Sequence, residues 1–335
     1  MDVDDERRNA TLRAVFADNV VADVPPLAEV PAPVAPPAED VARAGGGGVL
    51  RGVLGTMRPR QWTKNVLVLA VPLASGTVLQ PSVAGAAALA FLAFCLAASG
   101  IYLLNDVRDL EQDRRHPRKR FRPVAAGVVP VPVAATAGVL LLVVALTGAA
   151  LLSRWQLAAV LAAYVAISLA YSFWLKDQPV IDLAAVASGF VLRGVAGGAA
   201  AGIAVSQWFI LVSAFGALFM VAGKRYAELV ALGEQAETRR SLRAYSASYL
   251  RFVWSLSAGV ACTAYSLWAF EMRADDGIPW TTISIAPFVL AMLRYAVDVD
   301  RGDAGAPEDL VLRDRGLLVL GLVWALCVGA AVLTG

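Results

Sequence analysis

The sequence predicts an all-helical integral membrane protein. Of its 335 residues, 58% are hydrophobic and only 17% are charged, and the mean hydropathy is +0.63. A soluble domain would carry about 25% charged residues. A bilayer-crossing helix needs roughly 20 mostly apolar residues, and backbone in lipid must satisfy its own hydrogen bonds. Nine windows meet this requirement, at residues 65–81, 84–104, 130–153, 155–175, 180–201, 205–222, 249–270, 278–297 and 315–334.

Lys and Arg fall mainly on one side of these spans. If the N-terminus is cytoplasmic, the inner segments are 51–64, 105–129, 176–179, 223–248 and 298–314. With the arginines at adjoining helix ends, they hold 22 of the 29 Lys and Arg residues, whereas the outer loops hold Arg154 and Arg273. The positive-inside rule therefore predicts a multi-pass protein of the cell membrane, with its N-terminus in the cytoplasm and its C-terminus outside.

Residues 1–50 differ in composition from the rest of the chain. Their Pro-, Ala- and Gly-rich stretch, VPPLAEVPAPVAPPAEDVARAGGGG, has no periodicity and predicts a disordered cytoplasmic tail. Residues 51–335 then form one membrane domain. The three cysteines lie far apart inside apolar windows, and His116 is the single histidine, so neither a disulfide framework nor a multi-histidine metal site is predicted.

The stretch NDVRDLEQDRRHPRKRFRP, residues 105–123, places four acids and seven Lys or Arg directly after the second window. If the helix continues, Asp106, Asp109 and Asp113 fall within a stripe about 60° wide, bordered by Asn105. Carboxylates this close repel one another unless a cation lies among them, and Mg²⁺ favours such oxygens while keeping phosphate ligands. The spacing predicts a Mg²⁺-diphosphate site flanked by basic residues, which include Arg118, Lys119 and Arg122.

The simpler alternative for this stretch is a solvated helix end that carries positive-inside residues. Two features favour the functional interpretation. Asn105 and Asp106 lie near lipid depth, where polar groups are costly and tend to be functional. The acids also keep helical spacing over two turns.

The same residues resemble a known signature. NDVRDLEQDRRHPRKRFRPVAAG is similar to the first aspartate-rich motif, NDxxDxxxD with a basic tail, of the UbiA superfamily of intramembrane prenyltransferases. The resemblance covers about residues 51–335. It implies a nine-span helical bundle with a cytoplasm-facing active-site cavity, in which Asn105, Asp106, Asp109 and Asp113 are the catalytic ligands of Mg²⁺ and the donor diphosphate.

The family's second signature, an aspartate pair around Tyr-Ala in the loop after the sixth span, is not kept. The matching segment, AGKRYAELVALGEQAE, has Lys224, Arg225, Tyr226 and Glu228 where Asp is expected. Fewer acids mean fewer metal ions, and Lys and Arg contact phosphate directly. The donor is therefore expected to differ in shape from a prenyl diphosphate held between two acidic motifs.

A basic segment at the start of the first window offers further candidates. MRPRQWTKNVLVLAVPL places Arg58, Gln61, Lys64 and Asn65 at the cytoplasmic mouth, where they could grip a phosphate. The alternative is ordinary anchoring of the chain at the membrane surface by Trp and cations.

The fourth and fifth windows add four candidates. Tyr171, Lys176 and Asp182, in YSFWLKDQPVIDL, are predicted ribose or phosphate contacts, with solvation of the helix ends as the alternative. Arg193 lies well inside a predicted span, where a charge costs a few kcal/mol, so it should face the bundle interior. We expect it to contact phosphate, with an ion pair to Asp182 as the alternative.

Together these segments resemble the branch of the superfamily known as decaprenyl-phosphate phosphoribosyltransferases. This resemblance implies transfer of 5-phosphoribosyl from 5-phosphoribosyl 1-diphosphate to decaprenyl (polyprenyl) phosphate, with release of pyrophosphate, to supply cell-wall arabinan synthesis. A lipid phosphate is already an anion, so it needs alignment with C1 more than a strong base. Mg²⁺ and nearby cations would stabilise the leaving group. No nucleic-acid partner is implied, and a homo-oligomer is allowed.

Two alternatives stay open. An aromatic prenyltransferase of quinone or haem biosynthesis would keep the first motif but should show a second acidic pair. A transporter of a phosphorylated or lipid-linked metabolite should show polar residues near mid-bilayer and broken helices in matched halves. Apart from Arg193, the charges cluster at one membrane face, which favours an enzyme.

Overall fold

The computed structural model describes residues 46–232, 244–272, 278–305, 310 and 313–334, and their regular structure is helical throughout. In chain order the α-helices are α1 (Gly46–Thr56), α2 (Ala70–Ala74), α3 (Pro81–Arg108), α4 (Leu110–Arg115), α5 (Val131–Leu152), α6 (Trp155–Phe173), α7 (Ile181–Ala201), α8 (Gln207–Leu232), α9 (Ala247–Glu271), α10 (Trp280–Ile283), α11 (Ile285–Asp300) and α12 (Arg315–Thr334). Shorter 3₁₀ segments occupy Pro59–Leu69, Lys119–Phe121 and Leu175–Asp177.

Several helix ends carry recognisable signals. Helix α3 starts with a proline in its first turn, where the missing N–H has no helical partner to lose. Ser246 caps α9 by accepting the N–H of Tyr249 at 3.1 Å. Gly202, with φ +72°, ends α7 in the left-handed conformation that favours glycine.

Within the described residues, eight helical stretches are long and apolar enough to cross a membrane, with α10 and α11 together forming one of them. The all-helical membrane fold predicted from the sequence is confirmed. The predicted count of nine long spans is not confirmed, because the first window takes a different form.

That first window, residues 65–81, is divided between the 3₁₀ helix Pro59–Leu69 and the short helix α2. Pro72 has no N–H to donate to the Val68 carbonyl, so it fits in the first turn of the short helix α2 but would break a longer helix over residues 65–81. The segment still runs the length of the bundle. At one end Arg58 pairs with Asp106 on α3, and at the other a Cβ on Gly76 would lie 2.6 Å from Val332 on α12.

Helix α7 lies at the centre of the bundle, where it packs against α3, α6, α8 and the 3₁₀ segment Pro59–Leu69. One buried apolar cluster joins it to α3, α5 and α6 and includes Phe94, Leu157 and Leu161. A second joins it to α8, α9 and α11 and includes Phe219 and Leu250. Both ends of α7 are therefore packed in apolar clusters, which position the polar residues near its start.

Two predicted boundaries are corrected. Helix α1 begins at Gly46, inside the predicted 1–50 tail, whose residues 1–45 lie outside the described part of the chain. Helix α8 continues to Leu232, so the segment Lys224–Glu228 is helical and does not lie in a loop. The stretch KRYAELVAL consists mostly of strong helix formers and has no Gly or Pro, which explains the extension.

Candidate active site

Asp106, near the end of α3, is the centre of an ion cluster. It is 2% exposed. Arg58 Nη2 lies 2.5 Å from its Oδ1, and Arg122 Nη1 lies 3.3 Å from the same oxygen. Arg58 follows α1 with a left-handed φ of +54°, an unusual conformation for a residue other than glycine. This bend turns the chain from α1 into the 3₁₀ segment and brings the guanidinium to the carboxylate.

Asp113, about two helical turns after Asp106, belongs to the same cluster. It is 1% exposed, its Oδ2 lies 2.6 Å from Arg122 Nη1, and Lys119 Nζ lies 4.0 Å from its Oδ1. Helical hydrogen bonds continue across the end of α3, since the Asp113 N–H donates to the Asp109 carbonyl at 2.8 Å. The predicted helical spacing therefore brings Asp106 and Asp113 to one guanidinium nitrogen.

Asp109 lies toward a different partner. Lys176 Nζ, from the 3₁₀ turn after α6, is 3.6 Å from its Oδ1. Next to it, Arg108 donates to the Phe173 carbonyl at 3.3 Å and lies 4.7 Å from the centre of the Phe173 ring. The end of α6 is thus fastened to the acidic motif. Asn105 is half-buried beside it and accepts the Asp109 N–H through its backbone carbonyl.

The fit of this cluster to Mg²⁺ follows from its geometry. Two buried carboxylates converge on one cationic nitrogen of Arg122, and their oxygens are the hard ligands that Mg²⁺ prefers. A divalent ion between Asp106 and Asp113 would take the place of that guanidinium. Among the described residues, no group of three or more His, Cys, Asp or Glu side chains is arranged to hold a metal ion. The carboxylate oxygens of Asp106 and Asp113 therefore fit Mg²⁺ in type, but Asp109 does not join them around one point.

A second ion cluster forms around Asp182, at the start of α7. Asp182 is 1% exposed, and Arg225 Nη2 lies 3.4 Å from its Oδ2. This contact is an ion pair without hydrogen-bond geometry, since Oδ2 has no hydrogen-bond partner. Arg225 itself donates to Glu228 at 3.1 Å and to the Tyr171 hydroxyl at 3.2 Å.

The two clusters lie side by side. Tyr171, near the end of α6, belongs to the Arg225 cluster, and Lys176, just after that helix, belongs to the acidic motif. One end of the bundle therefore presents acids from α3, α4 and α7 beside cations from α8 and from the segments that follow α1, α4 and α6. Such a surface can hold a metal ion and an anionic group together.

Arg193 and Asn65 meet elsewhere. Arg193 is 7% exposed and donates to Asn65 Oδ1 at 2.8 Å, to the Gly189 carbonyl at 2.6 Å and to the Tyr164 hydroxyl at 2.8 Å. The alternative ion pair with Asp182 is not formed, and no carboxylate of the described residues lies within ion-pair distance. At 1.5 Å per residue, Arg193 lies about 16 Å along α7 from Asp182. Its predicted phosphate contact stays a prediction.

The remaining predicted residues are distributed differently. Tyr226 is 4% exposed and accepts a hydrogen bond from Arg251 at 2.8 Å, so it belongs to the α8–α9 packing. Two others, Arg118 and Lys224, are exposed at the same end of the molecule. Gln61 and Lys64 are half-buried on the 3₁₀ segment.

The predicted cavity beside the acidic motif is not confirmed. One groove of about 460 Å³ lies between α11 and α12 and is lined by Arg294, Asp298 and Asp314, among others. Another of about 400 Å³ lies on α5, around Val133 and Leu140. Neither is lined by the two ion clusters.

Sequence reasoning missed Tyr245 and Tyr164. Tyr245, between α8 and α9, donates its hydroxyl to Asp182 Oδ1, and Tyr164 on α6 accepts from Arg193. Neither tyrosine stands in a motif, and each meets its partner across helices. For Tyr164 one signal was available: a buried tyrosine hydroxyl on an otherwise apolar helix usually has a hydrogen-bond partner. Tyr245 lies outside the helices and gave no such signal.

Comparison with known proteins identifies the family. The profile of the UbiA prenyltransferase family matches residues 66–316. This chain belongs to that family. A decaprenyl-phosphate phosphoribosyltransferase of Mycobacterium tuberculosis is 52% identical to it over 302 residues, covering 89% of this chain and 99% of the relative. A protein of the same name from Corynebacterium glutamicum is 50% identical over 289 residues, covering 84% of this chain and 86% of the relative.

The UbiA fold is also seen in solved structures. A UbiA homologue from Archaeoglobus fulgidus bound to GPP and Mg²⁺ superposes with a TM-score of 0.64, over 85% of this chain and 100% of that one. Because the two are only 17% identical, this likeness shows the fold alone. The resemblance stated from the acidic motif is thereby confirmed for family and fold.

Proposed function

We propose that this UbiA protein transfers the 5-phosphoribosyl group of 5-phosphoribosyl 1-diphosphate to decaprenyl (polyprenyl) phosphate. Pyrophosphate leaves, and the product is a polyprenyl-phosphoryl-5-phosphoribose that would supply cell-wall arabinan synthesis. Two relatives about half identical over most of the chain carry the name of this activity. The proposed cofactor is Mg²⁺, and the proposed surroundings are the cytoplasmic leaflet of the cell membrane.

One observation carries the proposal. The acidic motif lies beside Arg225. Arg225 is at the position where the UbiA resemblance leads one to expect a second acidic pair, and its neighbours are Asp182 and Glu228. A donor with phosphates at both ends needs a metal-binding acid cluster for its diphosphate and cations for its second phosphate. The two adjoining clusters offer both.

Asp106 and Asp113 are the residues that would hold Mg²⁺, and the ion would neutralise charge on the diphosphate. With the ion bound, Arg122 would pair with the phosphates of the same polyanion in place of the two carboxylates. Arg58 and Lys119 would contact it from the opposite sides of the cluster. Solved structures of UbiA homologues bound to Mg²⁺ support this choice of metal.

The chain's own residues would orient the transfer. Lys176, Arg225 and Lys224 would hold the 5-phosphate, with Tyr171 and Asp182 near the ribose hydroxyls. The bond between C1 and the pyrophosphate oxygen breaks, its electron pair leaves with pyrophosphate, and a lipid phosphate oxygen bonds to C1. Attack opposite the leaving group inverts C1. The acceptor is already anionic, so no general base is required, and alignment supplies much of the rate enhancement.

The test uses membranes that contain the protein, radiolabelled 5-phosphoribosyl 1-diphosphate and polyprenyl phosphate, with Mg²⁺ or with a chelator. We expect label in the lipid phase only when metal and both substrates are present. A parallel reaction offers a prenyl diphosphate and an aromatic acid acceptor. Transfer in that reaction, with none to polyprenyl phosphate, would favour the aromatic prenyltransferase instead.

A further inference from the structure

Tyr245 makes two hydrogen bonds that connect separate parts of the chain. Its ring is buried, 6% exposed, just before α9. Its hydroxyl donates to Asp182 Oδ1 and accepts the Val180 N–H at 2.7 Å. Burial, and then the hydrogen bond to Asp182, raise the pKa of Tyr245 above its usual value, so the phenol stays protonated and remains a donor at neutral pH.

The backbone that Tyr245 holds is strained. Val180 has φ +70°, which is rare for a β-branched residue. Its side chain is half exposed, so packing of that side chain does not account for the conformation. Strained backbone of this kind persists where the surrounding contacts enforce it, and it clusters at functional sites. Here the strain sets the entry into α7, whose second residue is Asp182.

The second carboxylate oxygen of Asp182 has no hydrogen-bond partner. Oδ2 is buried, and Arg225 Nη2 lies 3.4 Å away without hydrogen-bond geometry. A buried carboxylate oxygen that lacks a donor is costly. Because Oδ1 already accepts a hydrogen bond from Tyr245, the unpartnered Oδ2 is suited to accept one from a hydroxyl of a bound molecule.

We propose that Tyr245 is a positioning residue for the sugar of the donor. It fixes the Asp182 carboxylate so that Oδ2 accepts a hydrogen bond from a ribose hydroxyl next to Arg225. This inference rests on the proposed function, because it assumes a ribosyl donor in the Arg225 cluster. The same hydroxyl of Tyr245 accepts the N–H of Val180 in the strained turn. One side chain therefore positions both the Asp182 carboxylate and the backbone that leads into it.

The test is Tyr245→Phe, which removes the hydroxyl but keeps the ring that stacks on Tyr249 at 5.8 Å. We expect the KM for 5-phosphoribosyl 1-diphosphate to rise about tenfold, as for a lost hydrogen bond to a charged group. The KM for polyprenyl phosphate should stay within about twofold, because the proposal assigns Asp182 to the donor and not to the acceptor. The control is Tyr249→Phe, whose ring is 37% exposed, and it should leave both constants unchanged.

A double-mutant cycle separates positioning from general support of the fold. If Tyr245 acts through Asp182, adding Tyr245→Phe to Asp182→Asn changes the donor KM by less than about twofold. Additive effects, or equal losses of kcat with both KM values unchanged, would overturn the proposal.

Donor analogues provide a second measurement that needs no Tyr245 variant. With the unsubstituted protein, a donor lacking the ribose 2- or 3-hydroxyl should have a KM about tenfold higher, and Asp182→Asn should abolish that difference. Equal KM values for all three donors would overturn the inference while leaving phosphoribosyl transfer intact. Failure of the unsubstituted protein to transfer phosphoribose at all would instead contradict the proposed function.

Discussion

At the scale of single residues, Asp106 carries the most concentrated charge contacts of the acidic motif. It is almost fully buried and faces two guanidinium groups, from Arg58 and Arg122. Removing one partner of such a cluster leaves buried charge uncompensated, which costs about 3–5 kcal/mol when burial is complete. Because both arginines are about one-third exposed, we expect a smaller loss of stability and a larger loss of activity.

Asp106→Asn and Asp113→Asn should each lower phosphoribosyl transfer at least about a hundredfold, since each removes a metal ligand and a charge. The measurement is the initial rate in membranes with matched amounts of protein. Glu111→Gln is the control, because Glu111 is exposed and, within the described part of the chain, forms an ion pair with Arg114 alone. Near-normal rates in both aspartate variants would show that the motif does not hold the donor.

Arg193 is expected to stabilise the fold. Its guanidinium makes three hydrogen bonds that a lysine ammonium cannot reproduce in the same fork. Arg193→Lys should lower the melting temperature of the purified protein by about 5 °C without any ligand. Arg154→Lys, at an exposed position, is the control. An unchanged melting temperature with a raised substrate KM would contradict this structural role and support the phosphate contact of Arg193 predicted from the sequence.

Helical spacing predicted that Asp106, Asp109 and Asp113 share a face, but Asp109 pairs with Lys176 instead. Asp106 and Asp113 do share a partner. The pairs Tyr245–Asp182 and Arg193–Asn65 could not be predicted, since their members are 63 and 128 residues apart and nothing local couples them. Contacts of this kind depend on how the helices pack.

At the scale of elements, the first apolar segment is divided between the 3₁₀ helix Pro59–Leu69 and the short helix α2. Its packing on α7 requires Gly197, where a Cβ would lie 1.8 Å from the Val68 carbonyl oxygen. The carbonyl that Pro72 leaves without a helical donor is the one that approaches α7. The apolar window predicted a long helix here, but the 3₁₀ form depends on Pro72 and on a close contact that hydropathy does not report.

Gly197→Ala should therefore destabilise the protein strongly, because backbone cannot move aside as a side chain can. We expect a lower yield and a melting temperature reduced by several degrees in the purified protein. Gly148→Ala on α5 and Gly259→Ala on α9 are matched controls, since a Cβ at either position meets nothing within 4 Å. Equal stability of all three variants would contradict the close approach of Val68 to α7.

At the scale of the whole molecule, the positive-inside prediction can be combined with the contacts at the two ends of the bundle. Arg58 lies with the acidic motif, whereas Gly76 lies with Val332 near the end of α12. The start and end of the described chain are therefore at opposite ends of the bundle. We predict a cytoplasmic N-terminus and an outside C-terminus.

Reporter fusions test this orientation. Alkaline phosphatase fused after residue 335 should be active, and a cytoplasm-dependent fluorescent protein at the same point should be dark. The same pair of reporters fused before residue 1 should behave in the opposite way. A fluorescent C-terminal fusion would place the C-terminus inside.

The most direct test of the central claim is a cryo-EM structure of the purified protein with Mg²⁺ and 5-phosphoribosyl 1-diphosphate. We predict the metal and the diphosphate between Asp106 and Asp113, with Arg122 displaced toward the phosphates, and the 5-phosphate beside Lys176 and Arg225. A donor bound away from both clusters, with Arg122 still between the two aspartates, would contradict it.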